Sequence, residues 1–333
     1  MMKNFIQCAC IAWLAVSVVA CGPSQPQNAG VPFIESTPGK LSEATSPAQT
    51  RKIALVMKTL TNPFFVEMEN GARKAESEFG IQLIVKTAAQ ETSIQQQIAI
   101  VEELIKLKVD AIVIAPGDSE ELIPVLKKAQ DAGIKVVNID NQLSADLSQK
   151  LGLVDVPFIS VNNEKGAYLS AKFISDKITT PTKVILLEGI REARNAQDRL
   201  AGAKRAFQEN PNITIVASET AHWKIDEAHD VTMRLFQANP DIGAIFCAND
   251  MMALGAVQYL EEQNLSNVLV AGYDNLQQAQ QAIKDGKMAS TIDQQAALQG
   301  YMGVQYAIQL INGEKVSPLN FVDVILVTKD TLK

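Results

Sequence analysis

From residue 51 onward, short runs of Val, Ile, Leu and Ala alternate with longer stretches whose apolar residues recur at helical spacing. Ile53–Met57, Ile81–Val85, Ala111–Ala115 and Ile134–Asp140 are four such runs, and Lys183–Leu187, Ile213–Ala217, Ala244–Cys247 and Val268–Tyr273 are four more. A continuous apolar run of about four to eight residues reads as a strand buried on both faces, and strands separated by helix-length segments read as βαβ units. The pattern runs twice, so the expected fold class is α/β, with two doubly wound parallel-sheet lobes. The halves also echo each other. Val137-Asn138-Ile139-Asp140-Asn141 and Ala271-Gly272-Tyr273-Asp274-Asn275 each close a strand with Asp-Asn, which points to two lobes facing one cleft.

The first run is followed by Lys58-Thr59-Leu60-Thr61-Asn62-Pro63-Phe64-Phe65, which packs a charge, an amide and two rings into eight residues. Asn62 and Pro63 read as the N-cap and first position of the next helix, since Asn accepts from the free N–H groups of a first turn and Pro has no N–H to lose. Strand-to-helix junctions of this kind are where open α/β sheets bind small molecules. The plainer alternative is ordinary capping, with Phe64 and Phe65 in the core.

The same segment closely resembles the start of the mature periplasmic monosaccharide-binding proteins of the type I fold, which include ribose- and allose-binding proteins; the allose type looks closest. The resemblance continues through Phe246-Cys247-Ala248-Asn249-Asp250-Met251-Met252-Ala253-Leu254-Gly255 and Val270-Ala271-Gly272-Tyr273-Asp274, and reaches Val322-Asp323-Val324-Ile325-Leu326-Val327-Thr328. It implies a three-strand hinge, with crossings near Val161–Asn163, Gln294 and Asp323. One lobe would then comprise 51–161 plus 295–323 and the other 162–294 plus 324–333. It further implies a monomeric receptor that presents a monosaccharide to an ABC importer, without a cofactor and without chemistry on the ligand.

Carried over residue by residue, the family's sugar contacts fall at Lys58, Asn62, Phe64, Phe65, Asp140, Arg199, Trp223, Asn249, Asp274 and Gln294, with Asn141 as an eleventh. These types suit a sugar. Flat rings cover its C–H faces, while carboxylates, amides and guanidinium offer paired donors and acceptors to neighbouring hydroxyls. Asn141 departs from the pattern, because ribose-type proteins have Arg there and allose-type ones Glu. Lys58 follows the allose type and hints at a hexose. Taken singly, each residue has a bland alternative: Asp140 and Asp274 as strand-end caps, Arg199 on a solvated helix face, Trp223 in the core, Asn249 capping a helix that begins at Asp250 or Met251.

At the N-terminus, Lys3 precedes an uncharged run from Phe5 to Ala20, and Val18-Val19-Ala20 places small residues before Cys21. The run falls short of the roughly 20 residues of a membrane span, so residues 1–20 are expected to be a lipoprotein signal peptide and Cys21 the lipidated residue. Gly22 to Thr50 is rich in Pro, Ser, Gln and Thr, and reads as a tether that would span roughly 30 Å as a coil. Cys8 and Cys10 would leave with the leader, so Cys247 would be the single cysteine of the folded part and no internal disulfide could form. Lipid on Cys21 would hold the protein to a membrane, in the periplasm or at the cell surface.

The formal charge of −7 becomes −8 once Lys3 is removed, and no Lys/Arg cluster with interleaved aromatics occurs, which argues against nucleic acid as a partner. Gly-x-Ser-x-Gly, Walker and Gly-x-Gly-x-x-Gly motifs are absent, weakening hydrolase, NTPase and dehydrogenase readings. No metal site is expected, since His222 and His229 lack cysteine partners and read as solvated surface. Three rivals stay open: a glycosidase using Asp140 and Asp274, which would need its carboxyls roughly 5 to 9.5 Å apart; a sugar-responsive repressor, whose DNA-binding helices would have to occupy the space taken by leader and tether; and a sugar sensor feeding a chemoreceptor or kinase.

Overall fold

The computed structural model describes residues 50–332. The expected leader, Cys21 and nearly all of the tether lie outside the described residues. The chain begins with β1 (Lys52–Met57), α1 (Pro63–Phe79), β2 (Gln82–Thr87), α2 (Ile94–Leu107), β3 (Ala111–Ile114), α3 (Ile123–Asp131), β4 (Lys135–Ile139), α4 (Ala145–Leu151) and β5 (Phe158–Val161). A second series follows: α5 (Asn163–Ser175), β6 (Thr182–Glu188), α6 (Arg194–Gln208), β7 (Ile213–Thr220), α7 (Ile225–Ala238), β8 (Ile242–Cys247), α8 (Asp250–Glu262), β9 (Leu269–Ala271), α9 (Gln277–Lys284) and β10 (Ser290–Asp293). The chain closes with α10 (Ala296–Ile311), β11 (Leu319–Val322) and β12 (Ile325–Thr328).

Two six-stranded sheets result, in the orders β11-β5-β4-β3-β1-β2 and β12-β10-β9-β8-β6-β7. All pairings are parallel except β10 with β12. The chain passes between sheets three times: from β5 into α5, which packs on β9 and β10; from β10 into α10, which packs on β3, β4 and α1; and from β11 to β12. The strands that were legible as apolar runs are those covered by helices on both faces. Ile53 through Met57 and Ala111 through Ile114, for example, have no exposed surface, and each large side chain so buried contributes roughly 1.5–3 kcal/mol.

Helix starts follow local chemistry. Asn62 Oδ1 accepts from Phe64 N at 3.1 Å and Pro63 opens α1, which ends at Gly80 with φ +61°. Asn249 Oδ1 caps α8 through Met252 N at 2.9 Å. Close packing of α1 on α10 needs small residues, because a Cβ at Gly71 would stand 1.7 Å from Ala297 O and one at Gly300 would stand 2.0 Å from Met68 O. That crossing fixes the first turn of α1, and with it Asn62, Phe64 and Phe65, against the sheet.

Candidate functional site

At the carboxyl ends of the strands, where strand order reverses in each sheet, the loops of both lobes meet around a cavity of about 230 Å³. Its wall comprises Lys58, Asn62, Phe64, Phe65, Glu91 and Asp140 from one lobe, with Asn195, Arg199, Trp223, Asn249, Asp274 and Gln294 from the other or its hinge. Ten of the eleven residues singled out in the sequence therefore converge, none more than 8% exposed.

The eleventh, Asn141, is not in the wall. Although fully buried, it donates from Nδ2 to Pro116 O at 3.2 Å and to Ser119 Oγ at 3.3 Å, and accepts on Oδ1 from Asn195 N of the opposite lobe at 3.2 Å. Its amide is thus bonded to protein on both sides, so the expected direct contact is not one that the cavity wall displays. Conversely, Glu91 and Asn195 line the cavity without having been singled out. Glu91 lies in the β2-to-α2 junction, where the rule that drew attention to Asn62 would have found it, whereas Asn195 is the second residue of α6.

The two asparagines at the other junctions serve two purposes at once. Asn62 spends Oδ1 on its cap and gives Nδ2 to Glu91 Oε1 at 3.0 Å; Asn249 spends Oδ1 likewise and gives Nδ2 to Trp223 O at 3.3 Å. Capping orients each amide so that its remaining N–H is available to the cavity. The plain and functional readings of these positions are therefore compatible.

The charges are paired. Lys58 Nζ is 2.7 Å from Asp140 Oδ2 and 3.9 Å from Glu91 Oε2. Burial pushes the Glu91 carboxyl upward, against the opposing pull of Lys58. Across the cleft, Arg199 donates from Nε to Asn163 Oδ1 at 2.8 Å, from Nη1 to Ala248 O at 2.9 Å and from Nη2 to Gln294 Oε1 at 3.2 Å. Gln294 Nε2 in turn donates to Asp274 Oδ1 at 2.7 Å. Asp274 stands 3.6 Å from Arg199, yet burial holds its carboxyl well above the usual carboxylate range.

Rings and backbone strain complete the cavity. Phe64 and Phe65 meet edge to face at 5.1 Å, while Arg199 sits 3.8 Å over the Tyr273 ring and 5.5 Å from Trp223. Trp223 is turned inward by two consecutive residues of positive φ, His222 at 46° and itself at 68°, and lies over Gly189, where a Cβ would be 2.0 Å from its Cζ2. Asp140 and Asp274, the echoed strand-end pair, also have positive φ, 64° and 128°. Strain of this order, roughly 1–3 kcal/mol per residue, is commonly found where a side chain must be aimed at a ligand.

Three buried polar atoms of the wall residues lack a hydrogen-bond partner among the described residues: Asp140 Oδ2, Asn195 Oδ1 and Trp223 Nε1. Asp140 Oδ2 is close to Lys58 but off the line of a hydrogen bond. Leaving such groups unmatched costs about 1–3 kcal/mol each, so the cavity is poised for a ligand with both donors and acceptors. Cys247 ends β8, fully buried, and burial pushes its thiol up, as suits an inert packing residue. Outside the cavity, His222 pairs with Glu227 and His229 with Glu262. No helix of the described residues is long and apolar enough to cross a membrane.

This arrangement, two α/β lobes closing on a small polar cavity with aromatic plates, is that of a solute-binding receptor. Residues 53–315 match the periplasmic binding protein domain, and the chain belongs to that family. Among its relatives, the D-ribose/D-allose-binding protein of Pseudomonas aeruginosa is 40% identical over 276 residues, covering 81% of this chain and 85% of that protein. The D-allose-binding periplasmic protein of Escherichia coli is 31% identical over 310 residues, covering 91% of this chain and 100% of that protein. The solved structure of an ABC transporter periplasmic solute binding protein from Actinobacillus succinogenes with bound D-allose is 40% identical, with a TM-score of 0.80, covering 84% of this chain and 98% of that one.

Proposed function

We propose that this protein is the substrate-binding receptor of an ABC importer and captures one monosaccharide, an allose- or ribose-like hexose or pentose, between its lobes. The observation that carries the reading is the small cavity between the lobes, in which unpartnered Asn195 Oδ1 and Trp223 Nε1 and the Lys58-paired carboxylate of Asp140 stand beside the Phe64, Phe65 and Trp223 rings. A pyranose supplies what this wall needs: C–H faces for the rings, and hydroxyls that donate to the carboxylate and the amide oxygen and accept from the indole. Contacts from both lobes stabilise the closed form relative to the open one, and the importer responds to that closure.

The ligand leaves unaltered. Asp140 is engaged by Lys58, Asp274 by Gln294 and Arg199, and Glu91 by Asn62, so each carboxylate of the wall already serves an ion pair or a hydrogen bond. Lys58 beside Asp140 favours a hexose with a further hydroxyl over a pentose. The mature chain works outside the cytoplasm as a monomer, anchored by lipid on Cys21, a reading supported by the small residues before that cysteine.

A thermal-shift screen against monosaccharides and cyclitols tests the reading, because a ligand that binds only the native state raises its apparent stability by mass action. D-allose or a close epimer is expected to give the largest shift, ahead of D-ribose. A panel without any shift would contradict sugar capture, turnover of chromogenic glycosides abolished by Asp140→Asn or Asp274→Asn would replace it with hydrolysis, and mass spectrometry finding residue 21 unmodified would remove the anchor.

A further inference from the structure

Helix α6 starts without a cap of its own. Whereas α1, α4, α5 and α8 are capped by Asn62, Ser144, Asn162 and Asn249, the N-cap of α6 is Ala193, whose side chain has no acceptor. Its first two N–H groups are satisfied from the opposite lobe: Arg194 N donates to Ser119 Oγ at 3.0 Å and Asn195 N to Asn141 Oδ1 at 3.2 Å. Ser119 and Asn141 follow β3 and β4, in the other sheet, and are tied together by the bond from Asn141 Nδ2. Asn195, held at its backbone by this arrangement, is the residue whose unpaired Oδ1 faces the ligand cavity.

We infer that Ser119 and Asn141 form a latch that caps α6 across the cleft, setting the closed population and holding Asn195 over the ligand without touching the ligand themselves. The inference rests on the proposed reading of the cavity as the ligand site. When the lobes part, the two N–H groups are exposed to water and the amide of Asn141 loses its partner across the cleft. When they close, the acceptors replace water at the positive end of the α6 dipole. A contact made only in the closed form shifts the closure equilibrium, and so changes affinity by the same factor for every sugar that requires closure.

The test uses the full chain with Asn141→Ala and, separately, Ser119→Ala, measuring binding kinetics for two sugars that bind the wild type, together with the melting temperature of the ligand-free protein. Asn141→Ala is expected to raise Kd about tenfold and Ser119→Ala about threefold, with the change in koff. The preference between the sugars and the ligand-free melting temperature should stay as in the wild type. Should Asn141→Ala melt early without ligand, through loss of its bond to Pro116 O, Ser119→Ala alone decides. Unchanged Kd in the deciding variant overturns the latch, and so does a changed sugar ranking, which would make Asn141 a direct contact. A wild-type chain that binds no sugar overturns the underlying reading instead.

Discussion

The two cations of the cavity are held in different ways. Arg199 is wired to its own lobe and hinge: three of its nitrogens bond to Asn163, Ala248 and Gln294, and its plane lies 3.8 Å from the Tyr273 ring. Lys58 is held by groups that themselves line the cavity, Asp140 at 2.7 Å and Glu91 at 3.9 Å. A guanidinium with a fixed fork fits a fixed position, while an ammonium on a flexible stem can be shared among acceptors. One wall thus offers a preset template, and the other a charge network into which ligand hydroxyls can insert as the lobes close.

Removing the fixed partner should therefore do the most damage. Arg199→Ala leaves the acceptors at Asn163, Ala248 and Gln294 unmatched and Asp274 without its cation. We expect a loss of about 4 kcal/mol in sugar affinity, together with a drop in ligand-free stability. Calorimetric titration and denaturant unfolding measure the two effects, and retained affinity would remove Arg199 from the site.

Behind that wall, Asp250 accepts from Thr291 Oγ1 at 2.7 Å and Leu276 N at 2.9 Å, and burial pushes its carboxyl from 3.8 to about 6. Because the folded value is the higher one, the stability this group contributes is complete below pH 3.8 and is lost as pH rises through about 6. Asp250→Asn should flatten that part of the ligand-free stability curve, and an unchanged slope would argue against a titrating Asp250.

On the other wall, Lys58→Met should cost about 2 kcal/mol of affinity, less than Arg199→Ala, with ligand-free stability affected less. Equal losses in both properties for the two variants would erase the distinction between them. The smallest expected effect is that of Gly189→Ala, which pushes the Trp223 indole out of its bed and should weaken binding by about 1–2 kcal/mol. In a chain expressed from residue 22 onward, which leaves out Trp13, Trp223 is the single tryptophan and its fluorescence reports this displacement directly. An unshifted emission would show that the ring has room to spare.

Much of this was legible in the sequence. Strands such as β1 and β3, buried on both faces, are written as uninterrupted apolar runs, and the Asp-Asn echo at 140 and 274 marked the two strand ends that face each other. β10 was less visible as a strand, because Ser290 and Thr291 are polar yet fully buried, Ser290 bonding to Ser170 and Thr291 to Asp250. β11 carries exposed Leu319 and Phe321 and lacks a clean period. Glu91 stands in a strand-to-helix junction and was readable by the same rule as Asn62, while Asn195, inside the first turn of α6, lines the cavity only because that helix start meets the opposite lobe. Asn141 was expected at the ligand because the family resemblance carries a sugar contact to that position, but its amide oxygen accepts from a helix start 54 positions along the chain.

The central claim is that groups from both lobes converge on one sugar. Titration calorimetry of the protein with D-allose and D-ribose, repeated with Arg199→Ala and Asp140→Ala, tests it most directly. The account predicts one site per chain, with tighter binding of the hexose and a large loss when either lobe's residue is removed. Absence of binding heat with any aldose, or affinity that survives both substitutions, would contradict it.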